Sequence, residues 1–390
     1  LLAGKHVLIE KPIAAQRHEA DELIALAEKK GLVLTVGYSQ AAPSPLAGFA
    51  PLVGVHGLSL IVALSGALLA RWRVGLPALA ALGLAGFSLQ QVPWTTPVGE
   101  PVSVALVQGN VPQEMKFRPE AFFRTLDLYR KLITQNPAQL TVLPETAIPV
   151  FLDQIPPDYL DELKALAKRQ NGDIIFGTLT GVGDSYFNSA VSIGSSPLQV
   201  YSKNHLVPFG EFIPAGFAWF MAYANIPMSA FTRGPEVQTP LAVAGQHVAA
   251  NICYEDVFGE EIIRALPHAG ILANLSNTAW FGRSLAQPQH LQIAQLRAAE
   301  TGRPMLRATN TGMTAIVNAD GRVQAVLEPF TTGVLKGEIR AYEGTTPYVR
   351  FGNWLALGLM AAFGLISQIG KRRQSDQAGN TISKSGDFSG

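Results

Sequence analysis

The chain is 390 residues long and carries 30 Lys plus Arg against 29 Asp plus Glu, without the basic excess that marks a nucleic-acid partner. Charged residues make up 15% of it, against about 25% in an average soluble domain, and the mean hydropathy is positive, which predicts apolar surface facing lipid. A single cysteine, Cys253, excludes an internal disulfide.

From the first residue to Tyr38 charges are scattered and no apolar core precedes a small-residue cleavage site, so no secretory signal is expected. His6 to Glu10 reads as a strand, Arg17 to Lys30 as a helix and Leu32 to Val36 as a second strand. The stretch GKHVLIEKPIAAQRHEADELIALAEKKGLVLTVG resembles the Glu-Lys-Pro segment of the Gfo/Idh/MocA dehydrogenases, whose motif lysine would be Lys11. No GxGxxG turn precedes it to hold a dinucleotide, so no cofactor is expected there. Residues 1–37 therefore read as a foreign fragment, joined by gene fusion or by an error of sequence assembly.

Residues 38–98 are expected to hold two transmembrane helices, Leu46 to Ala70 and Val74 to Val92, and residues 351–370 a third. Each is free of charge and of spanning length. Arg71 and Arg73 separate the first two, and Lys371, Arg372 and Arg373 follow the third, flanks that prefer the cytoplasm. The block 99–346 then lies outside, and the Ser-, Gly- and Asn-rich tail 371–390 is expected to be disordered in the cytoplasm.

Within 99–346, short apolar runs alternate with helical stretches, the pattern of a layered α/β domain. Predicted strands are 102–108, 140–143, 173–178, 187–193, 199–202, 247–253, 271–275, 314–317 and 323–327. One predicted helix face carries Phe122, Leu126, Tyr129 and Ile133, another Tyr159, Leu163 and Leu166.

Three chemically able side chains stand where predicted strands end: Glu145 after LTVLP, Lys203 after LQVYS and Cys253 as the last residue of QHVAANIC. In α/β folds chemistry collects at such ends. Acyl transfer through a thioester needs a nucleophile, a proton acceptor and positive charge for an oxyanion, the roles expected of Cys253, Glu145 and Lys203.

The local sequences LPETAIP, YSKNHLVPFGEFIP and NICYEDVFG together resemble the nitrilase superfamily, with its Glu, Lys and Cys in this chain order. GYSQ, APLVGVHGLSL, LVQGNVPQEMKF, NLSNTAWFG and GRPMLRATNTG narrow the resemblance to the membrane-embedded apolipoprotein N-acyltransferase family over about residues 37–371. It implies a nitrilase-like α-β-β-α sandwich flanked by transmembrane helices. It also implies a catalytic set of Glu145, Lys203 and Cys253 and no metal or nucleotide. The implied reaction takes an acyl chain from a membrane phospholipid as a cysteine thioester and passes it to the amine of a diacylglyceryl apolipoprotein. The implied location is the bacterial inner membrane, multi-pass, with the catalytic domain on the periplasmic side.

By the same resemblance Glu211 positions Lys203 or the base. Tyr254 is expected to offer a backbone N–H to the oxyanion, and Glu255 either to orient the site or to form an ordinary salt bridge. His205, His247, His268 and His290 read as structural groups, and His56 as a helix-packing hydrogen bonder. The charge-free segment Phe212 to Thr232 concentrates Trp219, Phe220, Met221 and Tyr223, which suggests a lid at the membrane interface. Two alternatives remain: a membrane-anchored amidase in which water resolves the thioester, and an inactive scaffold, since the family carries further spans before the position of Gly37.

Overall fold

The computed structural model describes residues 37–116, 118–208, 210–212, 231–365 and 368. The elements predicted before Gly37, the tail 371–390 and the lid residues Trp219, Phe220, Met221 and Tyr223 lie outside the described residues.

The strands run β1 (Thr95–Gln108), β2 (Leu140–Val142), β3 (Asp173–Val182), β4 (Ser185–Gly194), β5 (Gln199–Ser202), β6 (Leu241–Val243), β7 (Gln246–Ile252), β8 (Ile271–Ser276), β9 (Met305–Thr309), β10 (Ala315–Val317), β11 (Val323–Val326) and β12 (Gly333–Gly344). They form two six-stranded mixed sheets, ordered β12-β1-β2-β3-β4-β5 and β11-β10-β9-β8-β7-β6. In each sheet three strands are parallel, β1-β2-β3 and β7-β8-β9, and their neighbours are antiparallel. Parallel strands buried on both faces need near-continuous apolar residues, and VALV in β1 and LTV in β2 supply them.

The inner faces pack together through Val104, Leu106, Val142 and Ile175 of one sheet and Val248, Ile252, Leu275, Leu306 and Ile316 of the other. Outside the first sheet lie the helices Pro119–Gln135 and Pro157–Lys168, which bury Leu126, Tyr129, Ile133, Tyr159 and Leu163 at helical spacing. Leu166 and Phe122, predicted on those faces, sit at the cluster's edge, and Ala167, Ala121 and Thr125 are the more deeply buried neighbours. Outside the second sheet lies Ala286–Thr301, which contributes Leu291, Ala294 and Ala298 to a third cluster. The order of layers is helix, sheet, sheet, helix.

Each predicted strand is present, β5 with the expected ends and the others shifted at one end or both. One correction matters: the run expected to extend through Cys253 ends at Ile252, and Cys253 starts a 3-10 turn at φ 54°. The strands β6, β9 and β12 and the helix Ala286–Thr301 carried no expectation of their own. That helix is buried on nearly every side, polar residues included, so no amphipathic period marks it.

The first apolar stretch forms a 3-10 turn, Pro45–Phe49, and a helix, Ala50–Leu69, kinked at Gly54, whose φ is 61°. Together they are long and apolar enough to cross a membrane. The lower part is docked on the domain: Ala50, Val55 and Leu58 pack with Ile293, Leu296 and Ala299, and Tyr254 and Phe258 join the same cluster. The second stretch forms Trp72–Leu89 and exposes Trp72, Leu76, Leu84 and Phe87. The third does not begin at Phe351 as a single span: Pro347–Phe351 closes at Gly352, φ 55°, and a new helix runs Trp354–Leu365. These last two have shorter apolar helical segments than the first.

Candidate active site

Glu145 leaves β2 through Pro144 and is followed by Thr146 at φ 48°. A β-branched residue in the left-handed region is strained and needs surroundings that hold it. Those surroundings are polar. Glu145 Oε1 accepts a hydrogen bond from Asn188 Nδ2 at 2.8 Å, Oε2 accepts the backbone N–H of Asn277 at 2.9 Å, and the peptide oxygen accepts from Lys116 Nζ at 2.9 Å.

Lys203 follows β5, and its own N–H is donated to the Asn188 carbonyl at 2.8 Å. Only 1% of its side chain is exposed, and Nζ lies 2.8 Å from Glu211 Oε1 and 3.7 Å from Glu145 Oε1. Burial pulls its pKa down, but Glu211, then Glu145 and Cys253, pull harder, so the ammonium is held above the usual lysine range. Glu211 also accepts from Asn188 Nδ2 at 3.1 Å and from the Val207 N–H at 2.8 Å.

Cys253 is half-buried at the end of β7. Burial and the Glu145 charge push its thiol up to about 12, against the opposing pull of Lys203. At neutral pH the resting thiol is therefore protonated, and attack on a carbonyl requires a base beside it. Glu145 and Lys203 lie 3.7 Å apart, and the charges of both act on the Cys253 thiol.

Glu255 makes no salt bridge among the described residues, which corrects that half of the expectation. It is 2% exposed, and its carboxylate gathers the N–H groups of Ile252 (2.7 Å), Asn204 (2.6 Å) and His205 (3.0 Å) and the hydroxyl of Tyr201 (2.8 Å). It ties the turn after Lys203 to the turn after Cys253. Tyr254 lies edge-on to Phe258, centroids 5.0 Å apart. His205 stacks on Phe258 and pairs with Glu261 at 2.8 Å, a structural role as expected.

Three groups around the site escaped the sequence reading. Asn188 and Asn277 position both carboxylate oxygens of Glu145, and Lys116 holds its backbone. Lys116 and Asn277 lie in the motifs LVQGNVPQEMKF and NLSNTAWFG, and Asn188 is a buried amide in the middle of a strand, which is the signal that could have found it. Behind Cys253, Arg307 bonds Asp256 at 2.8 Å and Asn274 at 2.7 Å, and Asn274 Nδ2 donates to the Cys253 carbonyl at 3.1 Å.

Residues 103–348 match the family model for carbon-nitrogen hydrolases. A curated apolipoprotein N-acyltransferase of Nitrosomonas europaea is 50% identical over 355 residues, covering 88% of this chain and 71% of that protein. The chain belongs to the apolipoprotein N-acyltransferase family. Its chemistry is acyl transfer. Other family members of the same name come from Chromobacterium violaceum, 47% identical with 87% and 68% coverage, and Ralstonia nicotianae, 46% identical with 88% and 68% coverage. Among solved structures, the C. elegans NitFhit protein aligns with TM-score 0.49 and 16% identity, covering 65% of this chain and 63% of that one. Residues 1–38 match a separate model, the oxidoreductase family with an NAD-binding Rossmann fold.

Proposed function

We propose that the chain transfers an acyl chain from a membrane phospholipid to the N-terminal amine of a diacylglyceryl-cysteine lipoprotein, through a thioester on Cys253. The observation that carries this reading is the meeting of a buried carboxylate, Glu145, a buried ammonium, Lys203, and a protonated thiol, Cys253, beside a lipid-length apolar helix. Glu145 takes the thiol proton as sulfur attacks the ester carbonyl. The oxyanion is met by Lys203 and by the N–H of Tyr254, donors worth about 3 to 4 kcal/mol each in comparable sites. Collapse breaks the ester C–O bond, and the lysolipid oxygen leaves with the proton from Glu145. In the second half the amine attacks the thioester, passes a proton to Glu145 and expels the sulfur, which takes the proton back.

Lipid access follows from the packing around the nucleophile's turn. Tyr254, Val257 and Phe258 share a cluster with the docked end of Ala50–Leu69, and Tyr38 donates its hydroxyl to the Val257 carbonyl at 2.7 Å. The exposed apolar side chains of Trp72–Leu89 and Trp354–Leu365 extend the lipid-facing surface. On this reading the apolar helices span the bacterial inner membrane, the sandwich stands on its periplasmic side, and residues 1–37 form a separate dehydrogenase-like fragment. Incubation with phospholipid labelled in its acyl chain tests the reaction. A label that stays with the protein through electrophoresis, is released by hydroxylamine and is lost in Cys253→Ala supports it; release of free fatty acid with no transfer to a lipopeptide amine overturns it in favour of hydrolysis.

A further inference from the structure

Lys203 is already committed to two carboxylates, yet a second buried lysine reaches the same site. Lys116 is 4% exposed on the short helix Gln113–Lys116. A buried ammonium costs several kcal/mol unless it is compensated. Among the described residues Lys116 forms no side-chain ion pair; its hydrogen bond goes to the peptide oxygen of Glu145 at 2.9 Å, and the charged groups acting on it are Glu145 and Cys253.

The peptide it holds is the one joining Glu145 to Thr146, the residue at φ 48°. The same helix grips Glu145 a second time: Gln113 Oε1 accepts from Asn277 Nδ2 at 2.7 Å, and the Asn277 N–H binds Glu145 Oε2. Removing this helix's contacts would free both the strained turn and the carboxylate it presents. Burial draws the Lys116 pKa down to about 8, against the pull of Glu145 and Cys253, so the group is still charged at neutral pH.

We propose that Lys116 is a positioning residue for the acyl-transfer site, clamping the Glu145–Thr146 peptide while its positive charge offsets the negative charge that develops on Cys253 sulfur. Thioester formation moves the proton from sulfur to Glu145, and Lys116 keeps its own proton throughout. The inference rests on the acyl-transfer reading for its role in turnover, but the effect on the thiol stands apart from any acyl substrate.

Cys253 is the only cysteine, so its alkylation by iodoacetamide reports on one site. The full chain in detergent micelles is compared as wild type, Lys116→Met and Lys116→Arg, at pH 7. Lys116→Met is expected to slow alkylation about tenfold, the effect of roughly one unit in thiol pKa, and Lys116→Arg to recover most of the rate. Thermal unfolding of Lys116→Met is expected to fall only slightly below wild type, since the lost hydrogen bond to the Glu145 carbonyl is partly offset by the removal of a buried charge. Wild-type alkylation in the Met variant overturns the proposal. So do equally slow Met and Arg variants that both melt early, which would mark a packing residue only. Thioester formation from labelled phospholipid is read in parallel; if wild type forms none while alkylation still follows the charge at position 116, the acyl-transfer reading fails and the role of Lys116 on the thiol survives.

Discussion

Glu255 accepts the backbone N–H of Asn204 at 2.6 Å, so a residue two places after the thiol holds the residue one place after the site's ammonium. Two sequence-distant turns thereby share one buried carboxylate. Glu255→Gln keeps the volume but replaces one acceptor oxygen with a donor that faces N–H groups. The expected cost is about 1.5 to 3 kcal/mol for the hydrogen bonds to the charged group. Urea unfolding checks the stability loss, and acyl transfer is expected to fall with it because Lys203 and Cys253 lose their common anchor.

Glu211→Gln leaves Lys203 with Glu145 alone, 3.7 Å away. Breaking a buried pair from one side costs about 3 to 5 kcal/mol. The Lys203 pKa is expected to drop, because Glu211 is the largest charge holding it up. A double-mutant cycle of Glu211→Gln with Lys203→Met is the check: strong coupling is expected, and additive losses would contradict direct support of the ammonium.

Glu145 has opposite effects on reactivity and on ionisation. Its negative charge holds the thiol up, so Glu145→Gln is expected to lower the Cys253 pKa from about 12 and speed alkylation above pH 8. Acyl transfer in the same variant is expected to fall about 10²- to 10⁴-fold through loss of the base. Rates of alkylation and transfer that fall together would contradict the assignment of Glu145 as proton acceptor.

In the fully buried pair Arg297–Glu300, 2.7 Å apart, Glu300 also accepts the backbone N–H of Val55, the residue after the kink at Gly54. Burial raises the Glu300 pKa to about 7, against the pull of Arg297 and of the Val55 N–H. The folded chain then binds the proton more tightly than the unfolded one, whose carboxyl titrates near 4.5. This stabilisation is complete below about pH 4.5 and is lost as pH rises through about 7. Melting temperature measured from pH 5 to 8 is expected to fall through that window, and the paired substitution Arg297→Met with Glu300→Leu to flatten it.

The candidate site was legible where chemistry follows local pattern. Glu145, Lys203 and Cys253 each end an apolar run, and the motifs around them carry the family resemblance. Asn188 was not legible because its amide matters only through β4 lying between β3 and β5, which sets it against Glu145 and Glu211 together. The helix Ala286–Thr301 and the strand β9 were hidden for a related reason: both bury charged residues, Arg297 and Glu300 paired with each other within the helix and Arg307 paired with the distant Asp256. Hydrophobic periodicity registers no such pairing.

The sequence by itself determined which reactive side chains exist, the order in which they occur and the strands that present them. The tertiary structure decided their electrical state. Lys116 and Lys203 are the same residue type and are both buried, yet one pKa moves down and the other up. Burial acts on both in the same direction; two carboxylates gathered around Lys203 by folding overcome it, and a peptide oxygen with a weaker field at Lys116 does not.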